Sequence, residues 1–258
     1  MLNAEERKSV ETADAVIVGG GVVGLAVARA LARANLGRII LIERGQLIES
    51  GTDSLMRGDS TMLADRLRRD VDTLGTLGAT RVIVCCMTVH AVFDRLSPTL
   101  RARMRSLVDL LIDRLAAARH PHLMLCTSGC RAAGVLQSHS RWPAIGDRVI
   151  WPDADDQQRI HAAIYALKRG ERPRTHARFV AHLLNRYGVS AYIAGCTELH
   201  LMTEAIERVT GRPSADVCAD PLILAAAEIA GARTPWPHAA FRASTPDAPL
   251  AGAADCKR

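Results

Sequence analysis

Short apolar runs alternate along the chain with longer stretches in which apolar residues recur every three or four positions. The runs at 15–18, Arg38 to Glu43, Arg81 to Val84, Leu123 to Cys126, Val149 to Trp151 and Ala191 to Ala194 are rich in Val, Ile and Leu and read as buried strands. Helical spacing covers 23–34, Thr61 to Leu77 before Gly78, Thr99 to Arg119 before His120-Pro121, a stretch reaching Ser138, stretches opening at Asp156 and Arg174, and Pro221 to Ala230. Gly45 to Asp59 is a polar loop, and 233–258 lacks periodicity and reads as a disordered tail. Strand and helix alternating in this way predict an α/β protein with parallel sheets.

Composition narrows the class. A hydrophobic content of 48% over 258 residues is ample for buried cores, and the seven cysteines, odd in number and mostly inside apolar segments, fit free thiols in a reducing compartment. The net charge of +6 comes from scattered arginines with few aromatics and no basic block, so no nucleic-acid partner is expected. Ala15 to Ala32 is apolar, yet its glycines and Arg29 make it a strand, turn and helix rather than a membrane span. With no membrane segment expected, the default location is cytoplasmic. No Cys-x-x-Cys pair or tight His cluster suggests a metal.

Two cysteines stand in matching surroundings. Cys86 lies in Val84-Cys85-Cys86-Met87-Thr88-Val89-His90, and Cys196 in Ala194-Gly195-Cys196-Thr197-Glu198-Leu199-His200. Each follows an apolar strand and precedes Thr and a helical pattern, so each thiol is expected at a strand's carboxyl end near a helix N-terminus. The helix dipole there favours an anion and would lower the thiol pKa. Two such sites suggest a pair of acid/base thiols. Cys85, on the opposite side of the strand, is expected in the core.

Together with Leu125-Cys126-Thr127-Ser128-Gly129-Cys130-Arg131, these motifs resemble, in order and spacing, those of the cofactor-independent aspartate/glutamate racemase family. The resemblance runs from about Glu49 to Gly231 and includes Ser106-Leu107-Val108-Asp109, Pro152-Asp153 and Asp220-Pro221-Leu222. It implies two doubly wound parallel-sheet halves, 13–117 plus 213–232 and 118–212, with the active site in the crevice between them. It also implies a racemase needing no cofactor, acting on an acidic amino acid, and is compatible with a homodimer. Cys86 and Cys196 would be the proton-transferring thiols. Thr127, Ser128, Gly129 and Cys130 would hold the substrate carboxylate, and Thr88 and Thr197 would supply hydroxyls to the carboxylate and amine. Met87 replaces the family's Asn, Cys130 its second loop Thr, and Gly51 the Arg that meets a distal carboxylate. Lys168, and Arg57 from the loop, are the cations left for that task. A Lys at a helix end answering the dipole is the competing reading of Lys168. His90 and His200 are expected to orient backbone. The same scaffold also serves related isomerases and decarboxylases.

A rival pattern stands at the start. Gly19, Gly21 and Gly24, with Glu43 ending the next strand, match the dinucleotide-binding fingerprint, and 14–44 resembles the opening of flavin-dependent oxidases. Such an enzyme would be longer than this chain. Bound flavin would be visible in the absorbance of the purified protein.

Overall fold

The computed structural model describes residues 15–18, 39–42, 60–76, 79 and 81–231. Strands β1 (Ala15–Val18) and β2 (Ile39–Ile42) pair in parallel, Ala15 opposite Ile39 and Val18 opposite Ile42. The glycine fingerprint (Gly19, Gly21, Gly24, Glu43), the loop with Gly51 and Arg57, and the C-terminal tail lie outside the described residues.

Helix α1 (Ser60–Thr76) buries Leu63, Ala64, Leu67 and Val71 along one stripe. That stripe shares a core with Val82, Val89 and Val92. Strand β3 (Val82–Ile83) pairs in parallel with β4 (Met104–Arg105). The helix expected over Thr99 to Arg119 is therefore broken into α2 (Pro98–Ala102), β4 and α3 (Leu107–Ala116). Leu100, Met104, Leu107 and Leu111 keep helical spacing straight through the break, so periodicity alone could not reveal it. The stop is written instead in Ser106, whose hydroxyl accepts the Asp109 N–H at 3.1 Å and starts a fresh helix.

The main sheet has four parallel strands in the order β6 (Val149–Ile150), β5 (His122–Leu125), β7 (Ala191–Ala194), β8 (Cys218–Ala219). Both faces of the sheet are covered, which is why β5 and β7 are buried at every position. Met124 and Ile193 point into a core shared with Leu107, Leu111 and Leu222, while Leu123, Leu125, Tyr192 and Ala194 point into one shared with Ile164 and Leu183. Helix α3 and the C-terminal helix thus cover one face. Helices α5 (Ala154–Lys168) and α6 (Pro173–Arg186) cover the other. Leu123, Leu125 and Ile193 are each 0% exposed, burial worth about 1.5–3 kcal/mol per side chain. A one-turn helix α4 (Ser128–Ala132) follows β5.

The chain beyond Pro213 divides at Asp220. Before it, β8 extends the main sheet, and after it α9 (Pro221–Gly231), which follows α7 (Thr203–Thr210) and α8 (Ser214–Val217), packs on α3. Arg105 on β4 ties α9 down through Glu228, Nε reaching Oε1 and Oε2 at 2.9 Å each and Nη2 reaching Oε2 at 2.7 Å.

Candidate active site

Both cysteine turns leave the ends of strands, and each is fixed by a different device. After β3 the Cys86 N–H closes a tight turn onto the Val84 carbonyl at 2.8 Å, and Thr88–Arg95 then winds as a 3-10 helix. His90 on that helix, 7% exposed, donates through Nδ1 to the Cys86 carbonyl at 2.8 Å, and its Nε2 accepts the Leu107 N–H at 3.0 Å. Those two contacts define one neutral tautomer. Burial holds the His90 pKa down to about 4. The Leu107 amide is one of the orphan donors of the α3 N-terminus, so His90 both finishes that helix and anchors the Cys86 turn. Its orienting role agrees with the sequence expectation.

After β7 the Gly195 N–H bonds to the Leu125 carbonyl at 2.8 Å. A Cβ on Gly195 would collide with the Met124 Cε and lie 2.9 Å from the Leu125 oxygen, so only glycine lets the turn lie this close to β5. Cys196 then stands at the start of the 3-10 helix Thr197–Met202. The Cys196 thiol donates to Glu198 Oε2 at 2.7 Å, and Glu198 Oε1 lies 3.6 Å from Lys168 Nζ. Lys168 is the last residue of α5, and its ammonium sits 5.0 Å over the Tyr165 ring. Helix α5 is started by Asp153, whose carboxylate accepts the Asp156 N–H at 2.8 Å.

The two turns face one another. Thr197 Oγ1 donates to the Cys85 carbonyl at 3.1 Å, and the charges of Lys168 and Glu198 act on both Cys86 and Cys196. Cys85 packs toward the core that holds Met87, and Cys86 toward the core under α1, which is the alternation expected of neighbouring residues. His200 accompanies the second turn, its Nδ1 2.7 Å from Asp220 Oδ2, and Asp220 Oδ1 accepts the Leu222 N–H at 2.8 Å at the start of α9.

The electrostatics correct one expectation. The elements after the cysteines are 3-10 turns, and burial outweighs any favourable dipole. It pushes Cys86 up, opposed by the Val89 N–H and Lys168 and reinforced by Glu198 and Cys130. Cys196 is pushed well above its ordinary value by burial and then by Glu198, with Lys168 opposing. Burial alone would lower the Lys168 pKa, but the negative ends of Cys196 and Glu198 outweigh it and the net direction is up.

The remaining predicted residues divide between the facing turns and the core behind them. Thr88 and Thr197 are buried, and the Thr197 proton is committed to the Cys85 carbonyl. Thr127 caps α4, its hydroxyl accepting the Cys130 N–H at 3.2 Å, while the Ser128 N–H donates to His161 Nδ1 at 3.2 Å. Two donors of the Thr127 loop are thus engaged within the protein. Gly129 is buried, and Cys130, 2% exposed, packs with Cys126. Met87 is 1% exposed in that same core. Glu198, His161 and Tyr165 join the site without a role assigned by the sequence motifs. The signal for Glu198 was available in its two-residue offset from Cys196. His161 and Tyr165 stack at 4.6 Å on the α5 face that ends in Lys168, a face indistinguishable by sequence from a solvated one.

Among the described residues no group of three His, Cys, Asp or Glu side chains could hold a metal ion, and no helix is long and apolar enough to cross a membrane. The described cysteines are all free.

Parallel sheets flanked by helices, with two thiol-bearing turns meeting at strand ends, define an α/β protein of the kind that places its chemistry at the carboxyl ends of its strands. The chain belongs to the Asp/Glu/Hydantoin racemase family, whose profile matches residues 28–230. The match begins beyond Gly19, Gly21 and Gly24. No curated protein sequence matches significantly. Among solved structures, the aspartate racemase of Picrophilus torridus is similar with a TM-score of 0.63 at 17% identity, over 84% of this chain and 93% of that one. The glutamate racemase of Francisella tularensis, solved with D-glutamate, is similar with a TM-score of 0.58 at 16% identity, over 84% of this chain and 79% of that one. The glutamate racemase of Aquifex pyrophilus gives 0.54 at 16% identity, over 84% and 82%. These likenesses establish the racemase fold.

Proposed function

We propose that this racemase interconverts the enantiomers of an acidic amino acid, aspartate or glutamate, without pyridoxal phosphate, using Cys86 and Cys196 as its two proton-transferring groups. The observation that supports it most is that the Lys168–Glu198 pair acts on both thiols at once, with Cys196 bonded directly to Glu198. One sulfur, as thiolate, takes the Cα proton, and the electron pair stays on the substrate as an enolate. The other sulfur gives its proton to the opposite face, and the roles exchange on the return.

Burial that raises a thiol pKa makes each thiolate scarcer but a stronger base, which suits so weak an acid as a Cα–H. The enolate forms beside the Lys168 ammonium and the Thr88 hydroxyl, in a low-dielectric site where fixed charge counts for more than in water. The Thr127-Ser128-Gly129-Cys130 loop would receive the α-carboxylate once the Ser128 N–H leaves His161. A distal carboxylate would share Lys168 with Glu198.

The test is incubation of the protein with L- and D-aspartate, glutamate, asparagine, glutamine and alanine in deuterated water, following Cα exchange by NMR. Exchange of both enantiomers of an acidic amino acid is expected. No exchange with any of the panel would remove the reading. The Lys168–Glu198 pair favours a second reading, a neutral substrate, because the two charges already offset each other. Faster exchange of the amides or alanine would select it.

A further inference from the structure

Glu198 is 14% exposed and holds two partners at once, the Cys196 thiol on Oε2 and the Lys168 ammonium near Oε1. A carboxylate accepting an S–H favours the protonated sulfur, because ionising that thiol would set two negative groups in contact. The neighbour that matters at Cys86 is of the opposite kind: the Val89 backbone N–H, whose donor character favours the ionised sulfur. Lys168 acts on both sulfurs and so does not choose between them. We infer that Glu198 is a positioning residue that sets the resting proton distribution of the site, keeping Cys196 as the thiol and leaving Cys86 as the sulfur that ionises.

This rests on the two-thiol reading and adds a direction to it. From the resting form, the Cα–H bond breaks, an S–H bond forms on Cys86, and the electron pair stays on the substrate. The Cys196 S–H bond then breaks as its proton reaches the opposite face, leaving a Cys196 thiolate beside the Glu198 carboxylate. One proton has entered the enzyme and one has left. Passage of a proton from Cys86 to Cys196 restores the resting form.

The two enantiomers have equal free energy, so kcat/KM is the same in both directions whatever the enzyme does. An unequal proton distribution shows instead as kcat and KM that are both higher for the enantiomer attacked by Cys196, since the form that binds it is the minor one.

The experiment is timed alkylation of the folded protein with iodoacetamide, with each cysteine quantified by peptide mass spectrometry, alongside kinetics in both directions. In the unaltered protein Cys86 is expected to react before Cys196. In Glu198→Gln the Cys196 rate should rise about three- to tenfold relative to Cys86, the gain in thiolate being partly offset by lower nucleophilicity. The KM values of the two enantiomers should converge, and Glu198→Asp, which keeps the charge, should restore the original order. Buried Cys218 reports the fold and should stay unmodified. An unchanged or lower Cys196 rate in folded Glu198→Gln overturns the inference. Should Cys218 become reactive in that variant, Lys168→Met decides: without its cation the Glu198 carboxylate is uncompensated against the thiol bonded to it, so Cys196 should fall relative to Cys86 although Lys168 itself faces both sulfurs, and a rise would overturn the inference. Absence of Cα exchange from the unaltered protein would sink the two-thiol reading, whereas failure of the alkylation order with exchange intact would sink only the role of Glu198.

Discussion

The turns carrying Cys86 and Cys196 share a strand-end Cys, a nearby Thr and a His four residues on, and are held by unlike means. The first is pinned through a side chain, with His90 bridging the Cys86 carbonyl and the Leu107 amide. The second is pinned through the absence of one, with Gly195 lying against Met124, Cys126 and the Leu125 oxygen. Their sulfurs differ as well, one meeting a backbone donor and the other a carboxylate. A repeated strand-Cys-Thr pattern therefore specifies where a thiol sits. What that thiol can do depends on neighbours two or more residues away in sequence, or on another element.

The largest effect that can break the comparison is loss of either sulfur. Cys86→Ser and Cys196→Ser should each lower exchange by about 10²–10⁴-fold, since a hydroxyl is far too weak an acid to stand in for a thiolate base. The two variants should show opposite preferences between enantiomers in the deuterium exchange assay. Near-normal turnover in both directions by either variant would mean that the paired thiols are not the acid and base.

The anchors come next. His90→Phe leaves the Leu107 N–H and the Cys86 carbonyl without their partner, at about 1–3 kcal/mol for each buried group, read from urea denaturation. His90 also makes stability depend on pH. Its folded value of about 4 lies below the ordinary 6.5, so the unfolded chain binds the proton first as pH falls. The stabilisation is present above about 6.5, declines on acidification and is lost by about 4. Over that window the loss is on the order of 3 kcal/mol. A urea midpoint that falls between pH 7 and pH 5 in the unaltered protein and falls less in His90→Phe would bear this out. For the second turn, Gly195→Ala must push Met124 or β5 aside and should cost about 1–3 kcal/mol. Equal stability of the alanine variant would show that the close approach is not required.

How much of this could be read beforehand depends on whether the signal was local. The strands β5 and β7 and helices α1, α5 and α6 came from apolar periodicity, because their burial is continuous along the chain. The split of the predicted helix over Thr99 to Arg119 did not, since a two-residue parallel strand at Met104-Arg105 has too little length to disturb a helical pattern. Ser106 carried the stop signal, and it competes with a run of apolar residues that says continue. At the site, Cys86, Cys196 and Lys168 could be named from motif position. The direction of the thiol pKa shifts could not, because it turns on burial and on Glu198, and desolvation is a property of the packed fold rather than of the motif. Met87 shows the same limit: its place beside Cys86 said nothing of its packing with Leu107 and Leu111.

The smallest effect, and the one that most sharpens the comparison, concerns the cation shared by both turns. Lys168 acts on Cys86 and Cys196 alike, is 3.6 Å from Glu198 and is itself only 31% exposed. A distal carboxylate entering the crevice loses its water and must regain that free energy from a cation or several donors. With Gly51 at the place of the family's Arg, Lys168 is the candidate that the described residues offer. Lys168→Met should then raise KM for aspartate or glutamate about tenfold, the loss of one charge-assisted contact, while the effect on a neutral amino acid stays smaller. Steady-state kinetics on both substrates separates the cases. Equal losses for charged and neutral substrates would show that Lys168 serves the thiols and the enolate rather than the substrate's side chain. An unchanged KM with faster turnover of the neutral amino acid would reassign the crevice to a substrate without a distal charge, and the Lys168–Glu198 pair would then be a closed wall of the site.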